Sequence, residues 1–136
     1  MTEKKELYEI DVLDTVYQLL TNDEDFTNVV GKESIFKYHI PEEYRDNPPV
    51  VRITGYQTPT QYGDGEQLGW YGLVQVDIWN DEDPHKLGMD VNRLMKRINF
   101  KQTDATPELD PDTYLIRNGK RFEGIIISDI SKLINS

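Results

Sequence analysis

Apolar residues recur at spacings of three and four from Leu7 through Ile10, Leu13, Val16 and Tyr17 to Leu20, with Glu6, Glu9, Asp11, Asp14 and Gln18 between them. That period predicts an amphipathic helix with one buried stripe. Thr21-Asn22-Asp23 supplies a stop and a fresh cap, so Phe26, Val29 and Val30 are expected to form one further turn that ends at Gly31. A short strand over 34–38 follows. Pro41, Pro48 and Pro49 then keep 39–49 out of any ladder and make it an extended connection. From Val50 the period changes to two. Val51 and Ile53 share one face and Arg52 and Thr54 the other, which predicts a strand over 50–56. Val74, Val76 and Ile78, set against Gln75 and Asp77, predict another over 69–80.

Between these strands, 57–69 holds Pro59, Gly63, Gly65 and Gly69 with hardly an apolar side chain, and is expected to be a long mobile loop. Asp83 is placed to cap a helix with Pro84 in its first position, and Leu87, Val91, Leu94, Met95 and Ile98 form its stripe. Lys96, Arg97 and Lys101 complement the negative end of that helix, and Asn99 is a stop. The polar run 103–112, with Pro107 and Pro111, predicts a loop. Asn118-Gly119 predicts a type I′ hairpin that folds 114–117 back on 120–127, because both residues tolerate positive φ. Ile130, Leu133 and Ile134 are spaced for a last helical turn. The order α-β-β-β-α-β-β, without an internal repeat, predicts an α+β fold over 1–136. It would be one domain: a single mixed, mostly antiparallel sheet with two main helices packed on one face.

With 136 residues and 37% hydrophobic side chains, one compact core is enough. No run approaches the ~20 apolar residues of a membrane span, and no apolar signal core follows Met1, so the chain is expected to stay where it is made, with no membrane partner. The absence of Cys removes disulfides, thiolate metal sites and cysteine nucleophiles. A net charge of −10 opposes general affinity for phosphate backbones or anionic lipid. The charge is unevenly placed. Residues 1–83 carry 6 Lys/Arg against 18 Asp/Glu, whereas 84–121 carry 8 against 5, a division that favours self-association through unlike surfaces.

Candidate chemistry is sparse. Among so many acids some carboxylate pairs are close by chance, and no spacing marks a catalytic pair. His85 near Asp83 lacks a second helical ligand, since His39 lies in a Pro-bounded segment. Asn22-Asp23-Glu24-Asp25 lacks the alternating ligands, central Gly and terminal Glu of a calcium loop. Neither a phosphate-cradling Gly motif nor a nucleophile elbow occurs, so no catalytic residue, metal or cofactor is assigned and no enzyme activity is expected. Arg93, Lys96, Arg97 and Lys101, with Arg117, Lys120 and Arg121 beyond them, form a basic region whose favoured reading is an interface facing acids of another subunit. Tyr56, Tyr62, Trp70 and Tyr71 flank or lie in the 57–69 segment, where a partner would cover them; core packing is as good an account of Trp70 and Trp79.

Several of these segments together resemble one known family. A leading helix ending near Leu20, Pro48-Pro49-Val50-Val51-Arg52-Ile53, the Gly-rich segment, and Gly72-Leu73-Val74-Gln75-Val76-Asp77-Ile78-Trp79 running into Asp83-Pro84 and a helix are similar to the tail completion, or tail terminator, proteins of long-tailed phages and prophages. The likeness covers about residues 7–127. It implies a subunit of a hexameric ring at the head-proximal end of the tail tube, one that stops tube growth and meets the head connector or stopper protein. It further implies location in the virion after assembly in the host bacterial cytoplasm. On that reading the loop interface is Thr58, Gln61, Tyr62, Asp64, Glu66 and Trp70. DNA passes through such a ring without being held, and Asp64, Glu66 and Asp77 are the acids expected to line it. The long acidic segment 103–112 departs from the family. Two other classes stay open: a cytosolic adaptor that binds a protein through 57–69, and a carboxylate-dependent hydrolase.

Overall fold

A computed structural model describes residues 10–62, 66–81, 85–109 and 116–126, with 61–62, 66–68, 105–109 and 116 described as backbone. The predicted residues Leu7, Asp64, Asp83, Pro84 and the final turn at 130–134 lie outside them.

The first helix, α1, spans Val12–Thr21 and starts at Asp11, whose carboxylate accepts from the Asp14 N–H at 3.0 Å. Its stripe buries Val12, Leu13, Val16, Leu19 and Leu20. The first orphan donor is met from a distant part of the chain: Val12 N–H donates to Gln57 Oε1 at 2.7 Å, and Gln57 Nε2 donates to the Ile10 carbonyl at 2.6 Å. Asp23 caps the short helix α2, Glu24–Thr27, by accepting from the Phe26 N–H at 3.0 Å, and the turn buries Phe26 and Val30. Strand β1, Ile35–Lys37, and a 3-10 turn at Glu42–Tyr44 lead to the sheet.

The five strands lie in the order β1-β2-β3-β5-β4, with β1 parallel to β2 and the other pairs antiparallel. Strands β2, Val50–Tyr62, and β3, Glu66–Asn80, form one long hairpin, paired from Val50↔Trp79 to Tyr62↔Glu66. The expected loop over 57–69 is therefore ladder for most of its length. Among the described residues, β5 pairs with β3 as far as Trp70↔Ile126, and the described core residues lie on the near side of that pair.

Strand β4, Lys101–Leu109, replaces most of the loop predicted over 103–112. It is the last strand of the sheet, where Pro107 is tolerated. Strand β5, Ile116–Ile126, runs straight through Asn118-Gly119, pairing Asn118 with Ile78 and Gly119 with Asp77. The predicted hairpin is absent. Gly119 serves space, not turning: a Cβ there would lie 2.8 Å from Asp77 Oδ1.

Helix α3, His85–Lys96, ends as expected at Asn99, which adopts φ 60. The Phe100 N–H reaches the Met95 carbonyl at 3.0 Å and the Asn99 N–H the Lys96 carbonyl at 3.0 Å, the bond pair of a Schellman cap. Phe100 is thereby turned inward and covers Gly72 and Gly124: a side chain at Gly124 would collide with its ring, and one at Gly72 with Val12 while crowding the ring. Both main helices pack on one sheet face, burying Val51, Ile53, Val74, Val76, Ile78 and Phe122 beneath Leu87, Val91, Leu94 and Met95. The α+β architecture and the element order agree with the sequence reading. No described helix is long and apolar enough to cross a membrane.

Because a β-branched side chain in the left-handed region is strained, Asn99→Val should cost about 1–2 kcal/mol in guanidinium unfolding, while Asn99→Gly should leave the midpoint nearly unchanged.

Candidate assembly surface

The strand period that turns Val74, Val76 and Ile78 toward the helices turns Tyr71, Leu73, Gln75, Asp77 and Trp79 to the other face, where no described helix lies. Arg52 of β2 and Arg117, Gly119, Arg121, Glu123 and Ile125 of β5 share that face. At its centre Asp77 is 0% exposed. Arg52 Nη2 donates to Asp77 Oδ2 at 3.0 Å, Arg117 Nη1 to Oδ1 at 3.2 Å, and Gln75 Nε2 to both oxygens at 2.9 and 3.1 Å. Full burial of a carboxylate demands such partners, and here they come from three adjacent strands. The Arg52 guanidinium lies 5.0 Å from the centre of the Trp79 ring, a cation-π contact that holds its plane.

The lattice continues outward. Arg121 Nε donates to Gln75 Oε1 at 3.0 Å, and Gln75, Asp104, Arg117, Gly119 and Arg121 line a shallow cleft of about 70 Å³. Toward the hairpin the face becomes apolar and aromatic: Tyr56 is 56% and Ile125 41% exposed, with Leu73 half-buried between their strands. Tyr71 OH donates to Glu123 Oε2 at 2.8 Å, and that bond to a carboxylate raises the Tyr71 pKa above its ordinary value.

The predicted site residues are scattered. Thr58 is exposed on β2, and Trp70 is half-buried and packs against the core. Gln61, Tyr62 and Glu66 occupy the far end of the hairpin as strand residues. Asp77 must be withdrawn from the lining acids, because its carboxylate meets no solvent and is matched by two guanidiniums. Arg93, Lys96, Arg97 and Lys101 are exposed, but Arg93 already pairs within the chain, with Asp23 at 3.3 Å and Asp90 at 3.9 Å. The two charge blocks thus interlock in part: Asp23 and Asp77 from the acidic block meet Arg93 and Arg117 from the basic one.

Lys120, grouped with the basic region in the sequence, instead lies on the helix side, 7% exposed, against Gly88 of α3. Burial lowers the pKa of its amine. The arginine lattice itself was missed by sequence reasoning. Its signal was the strict polar alternation at 75, 77, 117, 119 and 121, which was hidden while Asn118-Gly119 was read as a turn.

No family model matches the chain, and no curated protein does. Among solved structures, its fold is similar to that of a chain in the virion of a native gene transfer agent particle. The TM-score is 0.58 at 12% identity, over 81% of this chain and 90% of that one. A likeness at this identity is one of fold.

Removing the carboxylate leaves two guanidiniums facing each other, so Asp77→Ala should lower unfolding stability by about 3 kcal/mol in urea denaturation. Lys120→Met should raise stability at neutral pH. A lowered folded-state pKa means that wild type regains stability as pH rises toward the ordinary lysine value, so thermal melts of the two proteins should converge there.

Proposed function

We propose that the chain is a structural subunit of a phage-like particle, and more specifically a tail completion or terminator protein. The observation that carries the reading is the fold likeness to a virion chain, which extends over most of both molecules. The motif resemblance of the strand-to-helix segment from Gly72 supports the finer assignment. On this reading six copies form a ring on the last layer of the tail tube, halt its growth and offer a second surface to the head connector, with DNA passing through the centre. The subunit then resides at the head-proximal end of the virion tail.

Two physical features fit. The sheet face on which no described helix lies combines an ordered polar lattice with exposed Tyr56 and Ile125, the composition of an interface whose apolar part needs a cover. The hairpin runs on past the last described pair of β5, Trp70↔Ile126, as an arm that reaches a neighbour would. With Asp77 withdrawn, Asp64 and Glu66 are the acids left to repel phosphate from the channel.

The test is to add the purified chain to a polymerising phage tail tube protein and to image the tubes by negative stain. Tubes should shorten and carry a ring at one end; tubes that lengthen unchanged and bare would refute the assignment. Replacing 60–69 by Asn-Gly between the paired residues Pro59 and Trp70 should keep a cooperative thermal unfolding transition and abolish capping.

A further inference from the structure

Asn118 and Lys120 stand two residues apart on β5 and turn to the helix side of the sheet, where each is only 7% exposed. Across the ladder Lys120 has Val76 and Ala105 beside it, and Asn118 has Ile78 and Pro107, so the neighbouring strands bring no counter-charge. The Lys120 side chain enters no ion pair among the described residues. Asp90 of α3 turns instead to Arg93, and Asp81, just before the helix, forms no described ion pair. Asn118 Oδ1 is buried without a partner among the described residues. A cation taken out of water normally brings an anion with it.

Gly88, the fourth of the 12 residues of α3, covers this pair. A Cβ on Gly88 would lie 2.9 Å from Asn118 Nδ2 and 3.3 Å from Lys120 Nζ, so both nitrogens converge on one point under the first turn of the helix. Both are hydrogen-bond donors, and the start of a helix is itself electropositive. An anion placed there would answer all of them at once. Asn118 Oδ1 is shut off from solvent but Lys120 Nζ is not, which leaves a small ion a way in. Burial holds the Lys120 amine below its ordinary pKa, as befits a cation with no partner.

We propose that Lys120 and Asn118, beneath the first turn of α3, form a binding site for an oxyanion, either phosphate or a carboxylate. An occupant turns an unpaired cation that weakens the fold into a link between β5 and α3. The site lies on the opposite side of the sheet from the arginine lattice and does not depend on the tail reading.

Thermal melts in chloride buffer, with phosphate, sulfate or acetate added at matched ionic strength, test the site. Phosphate at about 10 mM should raise the wild-type melting temperature by about 3 °C or more, and Lys120→Met should stay folded and lose that rise. A general salt effect would stabilise both proteins alike, so the variant separates it from binding. As a second readout, the Lys120 ε-methylene and the Asn118 side-chain amide should shift together in NMR spectra as phosphate is added.

A response to phosphate and sulfate without acetate assigns the site to a phosphate-like group. A response that includes acetate assigns it to carboxylates as well, those of another subunit among them. Both results uphold the proposal. An equal rise in Lys120→Met, no rise with any of the three anions, or Lys120 and Asn118 signals that stay still would overturn it.

Discussion

A carboxylate shut away from water has to be answered by its neighbours, and in this fold Asp77 dictates how the middle of the sheet is built. Two guanidiniums from the flanking strands and an amide from its own strand surround it. The residue opposite on β5 is Gly119, and any larger side chain there would displace the carboxylate. Arg52 is in turn stacked on Trp79. Breaking one link exposes or orphans the next, so the lattice behaves as a unit whose parts cannot be exchanged singly.

The consequence is a sheet with two unlike but equally ordered faces. Helices α1 and α3 cover one with aliphatic packing, closed by Phe100 over its pair of glycines. The other keeps polar groups in fixed positions instead of on flexible stems, with aromatic and aliphatic surface beside them. Surfaces of that kind lose little side-chain freedom when a partner arrives. That suits a subunit which works by fitting other subunits, as proposed above.

What could be read directly from the sequence was whatever depends on local period or on a cap. Both main helices follow from their stripes, and Asn99 ended α3 where it was expected to. The alternation at Val74, Val76 and Ile78 marked the central strand. Three errors share one cause. The segments 57–69, 103–109 and 118–119 are rich in Gly, Pro and polar residues, which locally favour turns and loops. Long-range pairing overruled that preference: the hairpin is held by its own backbone ladder, Pro107 sits in an edge strand, and Gly119 answers to a carboxylate from another strand. Asp77 was placed on the correct strand and given the wrong environment, because nothing nearby in sequence reveals Arg117. The side-chain lattice of the candidate surface was hidden for the same reason.

Gln57 ties the root of the hairpin to the first helix through a single amide that serves both Ile10 and Val12. It works as a pawl: sliding β2 by one residue would turn this amide to the opposite face and strip the helix start of its partner, so the arm cannot creep along its neighbour. The register of the hairpin and the start of α1 are therefore set together, by one side chain.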